Sequence, residues 1–237
     1  MSRQDDFYQQ VMKIAIPVTM QSLIMSLLYL TDQLMVGQLG DVAISSVGMS
    51  TKIYGIISVV LAGLSTGVSI YAAQFWGNGD RKSVSQVLGL GLFGGLALSI
   101  IFTVFVFISP QLFLGMFTTD PRITGDGSIF LKIVSLSYVP MMLTMMYSSI
   151  LRSTTHVKLP MVVSLITVCL NIVLNYGLIF GKLGMPEWGL MGSAAATLIA
   201  RVVECLLIIG AVYKYRLPDR WISNTYSRFP VLCFGNF

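Results

Sequence analysis

The chain has 237 residues, of which 55% are hydrophobic and 11% charged, with a mean hydropathy of +0.79. Soluble domains carry about 25% charged residues, so the composition excludes an ordinary soluble protein and indicates a polytopic membrane protein in contact with the lipid bilayer. The net charge of +5 does not indicate nucleic-acid binding, because the basic residues lie in short loops and form no patch with interleaved aromatic residues.

Six apolar segments follow one another along the chain, separated by loops that contain Gly, Asn, Asp and Pro. Each is long enough to cross the roughly 30 Å hydrocarbon layer of a bilayer. Only helices or closed barrels span lipid, and continuous apolar runs of this length are helices. We therefore predict an all-α membrane protein with a six-transmembrane-helix bundle, formed by residues 11–37, 53–75, 84–108, 129–151, 161–180 and 190–213.

Lys and Arg residues are distributed unequally between the two sides of this bundle. Ten lie on the side of the amino terminus and the tail, four lie on the other side, and Arg201 lies inside the last segment. Because cytoplasmic loops carry an excess of Lys and Arg, we expect a multi-pass protein of the cell (plasma) membrane with both termini cytoplasmic. The first segment is too long for a signal-peptide core, so we expect no cleaved leader.

The first segment carries a lone carboxylate, Asp32. An acid inside a membrane span costs about 2.5–3.5 kcal/mol by insertion scales, and it usually faces the interior of a bundle and marks an ion or substrate path. The alternative is an acid near the helix end that reaches water. Asp32 lies about 7 Å along the helix from Gly37, however, and its short side chain cannot reach that far.

Other side chains of the first segment extend this polar face. Those expected to line a substrate cavity are Gln21, Met25 and Tyr29, which lie at helical spacing from Asp32, and Gln33. Pro17 lies in the same segment, where its missing N–H favours a kink. It is either a tolerated bend or a hinge that lets the polar face change its exposure.

Small and flexible side chains mark the second to fourth segments. Gly63/Gly67 and Gly91/Gly95 have the GxxxG spacing that lets helix backbones approach closely. The fourth segment is rich in methionine, which fills irregular gaps in cores and also suits surfaces that bind varied apolar ligands. We carry Met141 and Met145 as candidate cavity residues, with ordinary core packing as the alternative.

The fifth and sixth segments each place polar side chains on one helix face. Asn171 and Asn175 lie one turn apart, and amides in hydrocarbon must find partners because an unpaired polar group costs several kcal/mol. They either join helices or form a site that faces Asp32. Arg201 and Glu204 are three residues apart and can form a structural pair within their own helix. The alternative is that Arg201 reaches Asp32 and sets its charge state.

Metal and enzyme chemistry have little support. The three cysteines are scattered, and the single histidine, His156, lies in a loop, so we expect no metal and no cofactor. A membrane-embedded enzyme would need several His, Asp, Glu or Cys residues close together near an interface. We therefore expect a protein that is not an enzyme.

Several stretches resemble the multidrug and toxic compound extrusion (MATE) transporters. Residues 31–41 (TDQLMVGQLGD) resemble the end of the family's first helix, and residues 131–138 and 151–154 resemble its fourth-helix region. The most distinctive block is matched by residues 171–181 (NIVLNYGLIFG), 184–189 (GMPEWG) and 192–197 (GSAAAT).

The resemblance implies twelve helices in two six-helix lobes, and export of organic cations or amphipathic drugs in exchange for protons or sodium ions. It implies that Asp32 is the first-helix acid of the amino-terminal lobe and that Pro17 is the proline associated with bending. The polar positions that it places around this acid are Asn171, Asn175, Thr197 and Tyr138. Some members carry a carboxylate where Asn175 stands, so we expect Asp32 to act here without a second acid.

The chain stops near the point where a seventh helix would begin. We expect residues 1–220 to form an amino-terminal transporter lobe and residues 221–237 to form a short tail, too short to span. Transport would then need a missing second lobe or a homodimer partner. Two alternatives remain open: a flippase for lipid-linked saccharides, which would favour several basic residues in the cavity, and a non-transporting remnant.

Overall fold

The computed structural model of the chain describes residues 3–154 and 156–214. Within these ranges the chain is helical and without strands, which confirms the predicted all-α class. The helices are α1 (Arg3–Gly37), α2 (Asp41–Gly77), α3 (Arg81–Ile108), α4 (Pro110–Gly115), α5 (Pro121–Ser135), α6 (Tyr138–Ser153), α7 (Lys158–Phe180) and α8 (Leu190–Lys214). The predicted lobe boundary at residue 220 and the tail lie outside the described residues.

Four helices in the described part, α2, α3, α7 and α8, are long and apolar enough to cross a membrane, and α5 and α6 meet the same criteria when they are taken together as one bent span. The predicted segment 11–37 lies inside α1, and its crossing of the bilayer stays a prediction. The second helix is longer than expected, because it begins at Asp41 rather than at residue 53. At about 1.5 Å per residue its 37 residues exceed the thickness of the hydrocarbon layer.

The prediction of one continuous helix over residues 129–151 is wrong. The chain bends by 45° between α5 and α6, at residues 136–137. Pro140 lies in the first turn of α6, where its missing N–H leaves no donor unpaired, but the same residue could not lie inside an unbroken helix without removing a hydrogen bond. At the end of α5 the hydroxyl of Thr103 on α3 donates to the carbonyl of Ser135 at 3.2 Å.

Methionines of α6 fill a groove that glycines open on α3. A Cβ atom at Gly95 would lie 2.9 Å from Sδ of Met142, and one at Gly91, one turn earlier, would lie 2.5 Å from Cγ2 of Val68 on α2 and 3.4 Å from Sδ of Met146. The predicted packing role of this glycine pair is therefore confirmed. The pair on α2 differs, since no atom of the described chain lies within 4 Å of a Cβ atom at Gly63 or Gly67. A packing role of Gly63 and Gly67 stays a prediction.

The hairpin of α7 and α8 brings two polar helix faces together. Gly181 ends α7 with a positive φ of 64°, a conformation that glycine adopts without steric cost. The backbone N–H of Trp188 then donates to the carbonyl of Leu178 at 2.8 Å. Gly192 packs directly against that carbonyl, where any larger residue would overlap it. The close approach explains why α7 and α8 form one of the most extensive helix contacts of the bundle, beside which α1 packs against α7.

Candidate ion and substrate site

A cavity lined by apolar and polar side chains lies between α1, α2, α5, α7 and α8. Its volume is about 90 Å³. That is room for several waters or a small ion, but less than the roughly 300 Å³ at which drug-sized pockets begin. Its polar lining consists of Tyr29, Asp32, Gln33, Ser50, Thr51, Tyr54, Thr167, Asn171, Ser193, Thr197, Arg201 and Glu204.

Asp32 and the two asparagines of α7 form a hydrogen-bonded group at this cavity. Nδ2 of Asn175 donates to Oδ1 of Asp32 at 2.6 Å and to Oδ1 of Asn171 at 2.9 Å. Asn175 is fully buried, whereas Asp32 is half-buried. The asparagines therefore face Asp32, as the site hypothesis required. Oδ1 of Asn175 has no hydrogen-bond partner among the described residues, which leaves a buried acceptor oxygen beside the acid.

Arg201 and Glu204 form a second polar group on α8, which lines the same cavity. Nη1 of Arg201 lies 2.8 Å from Oε2 of Glu204, and the two side chains are 16% and 3% exposed. The hydroxyl of Ser164 donates to Oε1 of Glu204 at 3.4 Å. Nε2 of Gln21 donates to Ser164 at 2.9 Å. This chain of hydrogen bonds joins α1, α7 and α8, and Gln21 belongs to it rather than to the cavity wall.

The first helix presents its polar face to the cavity as the spacing indicated. Met25, Tyr29 and Gln33 line the cavity with Asp32, and Thr197 lines it from α8. Pro17 is buried inside α1, which continues as one helix to Gly37. Its role as a hinge stays a prediction.

Three predicted site residues lie elsewhere. Tyr138 is buried between the rings of Tyr54 and Phe102, each with its centroid 5.8 Å away, and its hydroxyl makes no hydrogen bond within the described part of the chain. Met141 is buried in the core, and Met145 packs against that core. None of the three lines the cavity beside Asp32. Because the chain bends between α5 and α6 and α6 packs on α2 and α3, these three side chains lie in or against the hydrophobic core and not at the cavity wall.

The sequence analysis missed the contribution of α2 and the role of Ser164. Ser50, Thr51 and Tyr54 line the cavity from α2. A signal was present, because these three residues recur at the three- and four-residue spacing of one helix face. Ser164 likewise lies seven residues, or two turns, before Asn171 on the face that carries both asparagines.

A family model, MatE, matches residues 17–177, which include the first-helix acid and both asparagines. The chain belongs to the MatE family. The curated relatives that it matches include proteins named for multidrug resistance, and the family is one of transporters rather than enzymes.

This MatE chain spans about half the length of the curated relatives it matches. It is 27% identical over 224 residues to the probable multidrug resistance protein NorM of Thermotoga maritima, which covers 91% of the chain and 48% of the relative. It is 31% identical over 184 residues to the uncharacterized transporter YisQ of Bacillus subtilis, covering 77% of the chain and 40% of the relative.

Solved structures show the same fold. A MATE crystal structure in the bent conformation superposes with a TM-score of 0.82 at 22% identity, covering 95% of this MatE chain and 49% of the other. An outward-facing multidrug resistance MATE transporter of the MOP superfamily superposes with a TM-score of 0.80 at 22% identity, covering 90% and 46%. The described helices therefore correspond to about half of a full-length transporter of this fold.

Proposed function

We propose that this chain is one lobe of a multidrug efflux antiporter that exchanges protons or sodium ions for organic cations or amphipathic drugs. The observation that carries the proposal is the carboxylate of Asp32, which borders a cavity inside the bundle and accepts a hydrogen bond from a buried amide. The names of the curated relatives support drugs as the transported class.

The coupling cation binds at Asp32. An ionised carboxylate inside a membrane protein needs a counter-ion or a proton. At Asp32 either a sodium ion or a proton supplies the neutralising charge. Oxygen atoms are the ligands that a sodium ion prefers, as other hard cations do, and the unpartnered Oδ1 of Asn175 adds one beside the acid. A proton needs only the carboxylate. No further cofactor is required in either case.

The drug binds outside this cavity. A volume of about 90 Å³ admits a small ion but not an organic cation of drug size. The larger site would form where this lobe faces a second one, and alternating access requires two bundles that rock about a site between them. The working exporter thus contains a second six-helix lobe or a homodimer partner, with both termini of this chain in the cytoplasm, as the distribution of Lys and Arg favours.

A flippase for lipid-linked saccharides is less well supported. Recognition of a pyrophosphate headgroup would call for several basic side chains. Arg201 is the single basic residue among the described residues that line the cavity, and it is paired with Glu204.

Cation binding to the full chain in detergent tests the proposal. Sodium chloride is titrated calorimetrically into wild type and Asp32→Asn, with choline chloride as the blank, and a potentiometric titration in sodium-free solution counts bound protons. Compared with wild type, the Asp32→Asn variant should show no heat of sodium binding in the calorimetric titration, or should bind one proton fewer in the potentiometric titration. The exposed Asp126→Asn variant is the matched control and should behave as wild type. Unchanged binding of both cations by Asp32→Asn would refute the site.

Transport forms the second arm of the test. The chain is reconstituted into liposomes, alone and with the second lobe of a family member, and an imposed sodium or proton gradient is used to drive movement of ethidium. We expect movement that depends on Asp32 and on a second lobe or a dimer. Movement that Asp32→Asn leaves undiminished would contradict the proposal.

A further inference from the structure

The cavity beside Asp32 contains an unequal number of fixed charges. Among the described residues that line it, two carboxylates, Asp32 and Glu204, face one guanidinium, Arg201. The side chains that α7 contributes are neutral. When both acids are ionised the cavity carries one excess negative charge, which one monovalent cation neutralises. Which acid receives that cation depends on where Arg201 places its charge.

Arg201 is bound to one acid but interacts with both. Its Nη1 donates to Glu204 at 2.8 Å, and the guanidinium also lies within electrostatic range of the Asp32 carboxylate. A guanidinium has five N–H donors, and only this one hydrogen bond is formed to the described residues. The side chain is 16% exposed, and it borders the cavity. Its unused donors thus border a cavity that a second carboxylate, Asp32, also lines.

Asp32 keeps its own partner in this arrangement. The amide of Asn175 donates to its carboxylate at 2.6 Å, and Arg201 remains on Glu204. An ion pair that only stabilised its own helix would not need to line the cavity, since an i, i+3 pair forms equally well on any helix face. What calls for a functional explanation is that the pair lines the same cavity as Asp32.

We infer that Arg201 is a tethered counter-cation that competes with the coupling cation for Asp32, and that Glu204 holds it away so that Asp32 can bind. This inference rests on the proposed function, because it assumes that Asp32 receives the coupling cation. Glu204 then acts as a positioning residue, and it contacts Arg201 and Ser164 rather than the transported ion. The pair sets how tightly a small monovalent cation binds in this lobe.

Two variants separate competition from a structural role. Glu204→Gln keeps the shape and the hydrogen bond with Ser164 but releases the guanidinium, whose remaining carboxylate partner in the cavity is Asp32. Sodium binding to Asp32 should weaken at least tenfold, since opposite charges a few ångströms apart interact by more than about 1.4 kcal/mol in protein. The double variant Arg201→Gln/Glu204→Gln leaves the net charge unchanged, and its sodium affinity should be restored to the wild-type value or exceed it.

The experiment is calorimetric titration of sodium chloride into the full-length chain in detergent, with thermal unfolding of each variant as a check on folding. Proton uptake in sodium-free solution should follow the same order of variants. A Glu204→Gln variant that binds as wild type would overturn the inference, as would a double variant that binds more weakly than wild type. The comparison of the double variant with wild type tests the inference even if Glu204→Gln fails to fold.

Asp32→Asn distinguishes the two proposals. If Asp32→Asn abolishes binding while Glu204→Gln leaves it unchanged, the ion site stands and the role of Arg201 is refuted. If Asp32→Asn binds both cations as wild type does, the proposed function is refuted, and the inference about Arg201 is refuted with it. Asp126→Asn, an exposed acid on α5, serves again as the control and should leave every value unchanged.

Discussion

Replacing Asn175 by aspartate should place a second carboxylate in direct contact with Asp32. The amide of Asn175 lies 2.6 Å from Oδ1 of Asp32, so the isosteric carboxylate would place two acids in hydrogen-bonding contact. Two unit charges about 4 Å apart repel by about 4 kcal/mol at an effective dielectric constant of 20. This corresponds to a factor of roughly 10³ in a binding constant. Two carboxylates this close do not both remain ionised without a cation between them.

The expected result is that Asn175→Asp binds about one more monovalent cation than wild type, as a proton or as sodium. Potentiometric titration in choline chloride counts the protons, and calorimetry in sodium chloride counts the sodium ions. Asn78→Asp adds the same charge at an exposed position after α2 and should bind no additional cation. If Asn175→Asp also binds none, the carboxylates do not face each other and the geometry proposed for the site is wrong.

Two further predictions concern the scaffold. Gly192→Ala places a Cβ atom against the backbone carbonyl of Leu178, and overpacking of this kind costs about 1–3 kcal/mol. Thermal unfolding in detergent should show a lower midpoint than for Gly210→Ala on the same helix, where no atom of the described residues lies within 4 Å of the added Cβ atom. Hydrogen bonds from Ser83 hold the pKa of Asp80 below its usual value of 3.8, so its stabilisation of α3 is present above that pH and is lost as the pH falls through the lowered pKa. The difference in unfolding midpoint between wild type and Asp80→Ala should therefore shrink from about pH 7 to about pH 3, and a constant difference would contradict this explanation.

The helical membrane fold was readable from local chemistry. Long apolar runs must satisfy their backbone hydrogen bonds internally, and helices are the solution within a single segment. Spacing along a helix also predicted that Met25 and Tyr29 share a face with Asp32, because neighbours on one helix are set by its pitch alone. The bend between α5 and α6 was missed, since an apolar run looks continuous whether or not a proline near its middle interrupts the helix.

Contacts between helices were harder to predict from the sequence than the helices themselves. The sequence indicated that Asn171 and Asn175 need partners, but it left open whether they meet Asp32, which lies 143 residues away from Asn175. Tyr138 was assigned to the site by resemblance, yet the packing of α6 places it behind Tyr54. Tyr54 reaches the cavity because of how α2 is rotated about its axis, a quantity that the pattern of one helix does not contain.

The amino-acid sequence by itself determined that the chain is an all-helical membrane protein with one acid in its first apolar segment, because hydrophobicity and helix pitch act between near neighbours. Only the tertiary structure decided which amide faces that acid and that a guanidinium shares its cavity. Those contacts depend on the close approach of α7 and α8 at Gly192 and on the packing of α1 against them. Such approaches are set by the fit of whole helix surfaces, which no single segment specifies.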